Sequence, residues 1–241
     1  MKKIRRLYYY LLNFRNKNDR RVILNEIYYY LVSLKYRSVY KKFINFTMIP
    51  RFIYCANLDL CNDFSMISGS VVECGTWRGG MIGGIACLLG PHRKYILFDS
   101  FEGLPDAKEI DGKSAILWQS DKSSAGYHDN CTASEESAKE AMKLAGASNV
   151  SIIKGWFNET LWKTSPQEEI AILRMDADWY DSTIEILNAL FPKVKKGGLI
   201  IIDDYYTWDG CSKAVHDYLS TNKREERIYT YRCGICYIIK K

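Results

Sequence analysis

Three aspartates carry the strongest chemical signal in this chain. Asp203 and Asp204 close the apolar run Leu199-Ile200-Ile201-Ile202, which is entered through Gly197-Gly198, and Asp176 closes a second run, Ile170-Ala171-Ile172-Leu173-Arg174-Met175. Continuous apolar runs of this length suit parallel strands covered on both faces, whose C-terminal ends open into the ligand crevice of an α/β sheet. If the two strands are neighbours, Asp176, Asp203 and Asp204 converge on one oxygen-rich point, the donor set that a hard divalent cation such as Mg²⁺ takes. A single aspartate there more often caps the next turn or helix. Three on two strand ends favour the metal.

Two more acids stand at strand ends upstream. Glu73 lies in Ser70-Val71-Val72-Glu73-Cys74-Gly75-Thr76-Trp77-Arg78-Gly79-Gly80, which reads as a strand, a glycine-rich turn and the start of a helix running to about Leu89. Gly75 permits the sharp turn, and Gly79 with Gly80 lets a ligand or the next helix come close. The dinucleotide fingerprint Gly-x-Gly-x-x-Gly is absent, and Glu73 would repel a pyrophosphate. An acid just before the turn suits a cationic ligand, and the sulfonium and amino groups of S-adenosylmethionine fit. The Glu-x-Gly-x-x-x-Gly pattern is weak by itself, but Lys94-Tyr95-Ile96-Leu97-Phe98-Asp99-Ser100 supplies a second strand whose acid follows Glu73 by 26 positions. A carboxylate there is placed to accept hydrogen bonds from both ribose hydroxyls of a nucleoside.

These acids need a sheet to position them. Strand and helix alternate through most of residues 70 to 220, which predicts an α/β fold with a mostly parallel sheet. The segments Arg227 to Arg232 and Ile235 to Ile239 read as a terminal hairpin adding antiparallel strands at one edge, a reading preferred for the intervening Cys233-Gly234-Ile235-Cys236 over zinc or redox chemistry. Val150-Ser151-Ile152-Ile153 is the expected third strand, and Trp156 just after it either lines the cofactor pocket or simply packs. Thr132 to Glu135 is in capping-box register for a helix ending at Gly146, and Ser182 with Glu185 for one ending at Pro192. A helix containing Ala214, Val215, Tyr218 and Leu219 follows the Asp203-Asp204 pair. The polar stretch from Phe101 to Asn130 is too long for a plain connector and is expected to cap the site.

Composition bounds the remainder. The chain of 241 residues can bury a full core, and no run approaches the ~18 to 20 apolar residues of a membrane span. The start, Met1-Lys2-Lys3-Ile4-Arg5-Arg6-Leu7, leads to no small-residue cleavage site, and the eight irregularly spaced cysteines, Cys74 and Cys87 among them, read as reduced thiols; both point to the cytoplasm. Residues 1 to 46 hold twelve Lys or Arg against Asp19 and Glu26, a charge of +10, which leaves −4 for the rest of a chain whose formal charge is +6. This basic, tyrosine-rich extension reads as a pair of amphipathic helices broken at Asn16 to Asp19. It is expected to pack on the main domain or on a second copy, with a peripheral membrane contact as the sharper reading. Nucleic acid is not expected, because the candidate site is acidic. There is no Gly-x-Ser-x-Gly elbow, no Walker loop and no histidine pair at metal spacing.

With these residues in view, the chain resembles the macrocin O-methyltransferase (TylF/MycF) family of class I, S-adenosylmethionine-dependent enzymes, from about residue 47 to 220. The resemblance is carried by Val72 to Gly80, by Asp99-Ser100-Phe101-Glu102-Gly103-Leu104-Pro105, by Gly155-Trp156-Phe157, by Leu173 to Thr183, by Gly197 to Tyr205 and by Gly210-Cys211. It departs from the family at Ala177 and Asp181, where Gly and Glu are usual. The resemblance implies a Rossmann-like class I methyltransferase domain over residues 47 to 241, with helices on both faces of the sheet, behind the extension of residues 1 to 46. It implies that Asp176, Asp203 and Asp204 hold Mg²⁺, and that Glu73, Gly75 and Asp99 lie on S-adenosylmethionine, with Thr47 reaching it from the N-terminal side. Thr76, Ser100 and Trp156 complete the candidate cofactor set. The implied reaction is O-methylation of a sugar hydroxyl on a glycan or glycosylated metabolite; a catechol-type phenol is the alternative acceptor, and a non-catalytic cofactor-binding module the alternative role. Asp176, as a ligand close to the bound hydroxyl, is the candidate general base, with Asp178 or water as the other proton acceptors.

Overall fold

The computed structural model describes residue 27 and residues 30–124, 126–164 and 166–241. The first helix of the expected pair and the break at Asn16 to Asp19 lie outside the described residues, as does most of the segment expected to touch a membrane or a second copy; of the second helix, residues 30–35 are described and helical. Helix α1 (Arg37–Phe43) and helix α2 (Arg51–Asp63) come first. They precede strand β1 (Ser70–Cys74), helix α3 (Gly80–Leu89) and strand β2 (Tyr95–Asp99). Then come α4 (Lys113–Ser120), α5 (Glu135–Ala145), β3 (Val150–Lys154), α6 (Phe157–Lys163) and β4 (Ile170–Met175). The chain closes with α7 (Tyr180–Leu190), β5 (Val194–Ile202), α8 (Asp209–Thr221), β6 (Ile228–Thr230) and β7 (Cys236–Ile239).

The strands form a seven-stranded sheet in the order β3-β2-β1-β4-β5-β7-β6, parallel except for β7, which runs antiparallel to both β5 and β6. The expected terminal hairpin is therefore present, and it shields the edge of β5. Strand order reverses between β1 and β4, and that switch point is where an open α/β sheet leaves its ligand crevice. Both strands are buried along their whole length, which explains why they read as unbroken apolar runs. Alternation along the strands sorts the core into two layers. Val71, Leu97, Ile172, Leu199 and Ile201 pack with α1, α2, α3 and α5, while Val72, Phe98, Leu173, Met175 and Ile202 pack with α6, α7 and α8.

Several boundaries differ from the sequence reading, each for a local reason. Strand β5 starts at Val194, ahead of the glycine pair, and its pairing with β4 slips between Ile170↔Val194 and Ile172↔Leu199; Gly197, at φ +81°, supplies the bulge. Helix α5 is capped by Ser134, whose hydroxyl accepts from the Ser137 N–H, so Thr132 and Glu135 do not form the expected box. Helix α7 starts two residues before Ser182, because the Asp111 carboxylate, from the capping segment, accepts the Tyr180 N–H at 2.7 Å. Val32, Tyr36 and Phe43 are buried in the same core as Tyr54 and Ile82, and the Phe43 ring occupies the space a Cβ on Gly83 would need, at 2.7 Å. Among the described residues no helix is long and apolar enough to cross a membrane, and all eight cysteines are free.

Candidate active site

The C-terminal ends of β1, β2, β4 and β5 open into a cavity of about 860 Å³, roofed by the segment between β2 and α5. Close backbone contacts knit its floor. The Asp176 N–H donates to Cys74 O at 2.8 Å, and a Cβ on Gly75, which sits at φ +82°, would lie 1.6 Å from the Asp176 carbonyl oxygen. Only glycine fits there. Asp99 organises the neighbouring turn: its Oδ2 accepts the Thr76 and Trp77 N–H groups and its Oδ1 accepts that of Phe101, each at 2.7 Å. Burial pushes its carboxyl up and these three donors pull it down, burial prevailing. Three of about four acceptor positions are thus committed to backbone, so Asp99 shapes the turn at least as much as it offers itself to a ribose.

Asp176 and Asp204 lie together at the ends of neighbouring strands, since Met175 pairs with Ile202, but Asp203 does not join them. The tightest group of carboxylates, however, is Asp176, Asp178 and Asp204, with one oxygen of each within 4.8 Å of the others. Asp203 turns away because its side chain emerges on the sheet face of Arg174, to which its Oδ1 is bonded at 2.6 Å. Asp178 joins because it adopts φ +55°, a strained conformation for a non-glycine residue; its N–H donates to Asp204 Oδ2, and its Oδ1 accepts from the Trp208 indole at 2.9 Å. The donor set is all oxygen and fits a hard divalent cation. Its charge also asks for one. Burial, then the Asp176 charge, pushes Asp178 up to about 7, and burial with Asp178, Asp176 and Asp203 nearby pushes Asp204 well up. Burial raises Asp203 to about 6 against the pull of Arg174.

Beneath these acids, Glu73 and Arg174 form a buried pair, each 1% exposed. Burial outweighs the guanidinium at Glu73 and pushes its carboxyl up to about 8, whereas Arg174, facing three carboxylates, is held firmly charged despite its burial. The cation stays, and the acids are the groups that yield. Glu73 is therefore sealed under the floor and does not line the cavity, unlike Gly75, Asp99, Ser100 and Trp156. The Thr76 hydroxyl is buried without a partner, and Thr47 folds its hydroxyl onto the Ile49 N–H, so its neighbours Met48 and Ile49 form the wall instead. His216 bonds Tyr205 in an exposed position.

Sequence reasoning missed Arg174, Asp111 and an aromatic wall in which Trp179 packs edge-on to Trp208 at 5.2 Å and Trp118 lies 6.2 Å from Trp179 and 6.0 Å from Trp208. A charge inside an otherwise apolar strand was a usable signal for Arg174, because a buried cation must be paired. The tryptophans, spread over ninety positions, offered none.

Residues 55–233 match the macrocin-O-methyltransferase (TylF) family. The chain belongs to this family. A demethyldecarbamoylnovobiocin O-methyltransferase of Streptomyces niveus is 36% identical over 160 residues, 63% of this chain and 58% of that protein. An 8-demethyl-8-(2,3-dimethoxy-alpha-L-rhamnosyl)-tetracenomycin-C 4'-O-methyltransferase of Streptomyces olivaceus is 30% identical over 199 residues, 78% of this chain and 71% of that protein. Among solved structures, the O-methyltransferase NovP superposes with a TM-score of 0.65 at 29% identity, over 81% of this chain and 82% of that one. The chain thus spans somewhat over half the length of the Streptomyces niveus relative, and the matched region contains both the Gly75 turn and the acid cluster of this macrocin O-methyltransferase family member.

Proposed function

We propose that this chain transfers the methyl group of S-adenosylmethionine to a hydroxyl on the sugar of a glycosylated metabolite, with Mg²⁺ at the acid cluster. The observation that carries this reading is the meeting of three carboxylates beside the Gly75 turn and under the tryptophan wall, in one cavity. Asp176, Asp178 and Asp204 would hold the ion, with Asp203 beside them. The Gly75 to Trp77 turn, held by Asp99, cradles the methyl donor, with Ser100 and Trp156 along the same wall. When bound, the ion supplies charge that makes a coordinated hydroxyl more acidic and fixes which of two neighbouring oxygens faces the methyl group.

The chain's own residues do the rest. Trp118 and Trp208, both partly exposed, offer flat apolar faces to a sugar ring, while Trp179, 1% exposed and packed edge-on to both, backs them and helps keep water from the sulfonium. Asp176, whose Oδ2 bonds Arg174 at 2.8 Å in the metal-free protein, takes the hydroxyl proton as the new carbon–oxygen bond forms and the carbon–sulfur bond breaks. S-adenosylhomocysteine and the methyl ether leave. A catechol presents the same pair of adjacent oxygens and a ring suited to the tryptophans, so it is the second acceptor class to try. The test is transfer of labelled methyl by purified protein to a panel of sugar nucleotides, glycosylated aromatics, lipid-linked glycans and catechols, with and without chelator. Methylation confined to catechols selects the second reading. No transfer to any hydroxyl refutes both.

A further inference from the structure

The guanidinium of Arg174 stands where this sheet face otherwise carries aliphatic side chains, and it touches three carboxylates. Nη1 lies 3.1 Å from Glu73 Oε1 and 2.8 Å from Asp176 Oδ2, and Nη2 lies 2.6 Å from Asp203 Oδ1. Strand register dictates this set. Glu73 on β1 pairs directly with Arg174 on β4, Asp176 follows two residues later, and Asp203 follows Ile201, the β5 partner of Arg174, by two; all four share one face. A buried cation is unfavourable unless partners hold it. Glu73 does so from beneath the floor, where no ligand reaches, whereas Asp176 and Asp203 line the cavity. Asp176 is one of the three acids whose oxygens lie within 4.8 Å of one another, and Asp203 adjoins Asp204 of that group.

We propose that Arg174 is a positioning residue acting as a resident counter-cation, which holds Asp176 and Asp203 in the metal-free protein and yields them to Mg²⁺, with Glu73 setting how firmly it holds. This rests on the metal reading above. It has two consequences of opposite sign. Removing the guanidinium charge leaves the acids uncompensated, so a divalent cation binds more tightly. Neutralising Glu73 turns the whole guanidinium charge on Asp176 and Asp203, so the cation binds more weakly. A residue that merely fills the floor moves both variants the same way or neither.

The measurement is calorimetric titration of Mg²⁺ into the metal-stripped full chain at about pH 9, above the value of about 8 to which burial pushes Glu73, so that Glu73 carries its charge, and without methyl donor. Arg174→Gln is expected to bind about tenfold or more tightly, Glu73→Gln about tenfold more weakly, and Arg174→Lys, which keeps the charge, within about threefold of the wild type. Should Arg174→Gln fail to fold by circular dichroism, Glu73→Gln and Arg174→Lys decide. Unchanged or tighter binding by Glu73→Gln, or a shift of Arg174→Gln and Glu73→Gln in the same direction, overturns the proposal while leaving the metal site intact. A wild type that binds no Mg²⁺ overturns the metal reading as well.

Discussion

Raising the pH should loosen the metal-free protein. Glu73, Asp178 and Asp203 are pushed up to about 8, 7 and 6, from ordinary values of 4.5, 3.8 and 3.8. The folded protein therefore keeps protons that the unfolded chain has already released, and its stability is fullest below about pH 4 for these groups and lost as pH rises through the folded values. Each retained proton gives a slope of about 1.4 kcal/mol per pH unit. With on average about one and a half such protons between about pH 6 and pH 8, the protein loses about 4 kcal/mol. For a chain of this size that lowers Tm by roughly 8 to 16 °C. Saturating Mg²⁺ favours the ionised carboxylates, pulls the folded values down and flattens the profile. The assay is thermal unfolding across this range in chelator and again with Mg²⁺. Asp178→Asn, neutral throughout, should shallow the fall in chelator. A Tm that stays level or rises with pH in chelator, or that falls equally with Mg²⁺, refutes the reasoning.

Asp176→Asn keeps the side-chain size but not the charge, and turnover should drop at least ~10²-fold while S-adenosylhomocysteine affinity, measured by calorimetry, stays nearly constant; normal turnover with Asn would sink the role of this residue. Asp99→Asn gives up at least one acceptor for the Thr76, Trp77 or Phe101 N–H, so S-adenosylhomocysteine should bind at least ~10-fold more weakly; unchanged affinity removes Asp99 from the site. Gly75→Ala places a methyl on the Asp176 carbonyl at a left-handed φ, and denaturant unfolding should report a loss of about 3 kcal/mol or more. Binding of the full chain to anionic vesicles at low salt, falling steeply as salt rises, is the outcome expected if the +10 segment of residues 1 to 46 contacts membranes.

Local chemistry and periodicity are written in the order of residues, and what depends on them alone was legible there. The buried parallel strands appear as unbroken apolar runs, the turn after β1 as Gly75, and the acids as strand-end punctuation at Asp99, Asp176 and Asp203-Asp204. Which acids meet was not decided at that level. Asp178 joins Asp176 and Asp204 through a strained backbone angle, and Asp203 turns to Arg174 because strand parity puts both on one face. Glu73 reads as a cofactor contact in the chain and lies beneath the floor in the fold, since the β1–β4 register sets it against Arg174. The start of α7 depends on Asp111, 69 positions away, and the tryptophan wall joins residues from three separate segments. A sequence records which groups are present at each strand end; only packing in three dimensions determines which oxygens face a ligand and which face a buried guanidinium.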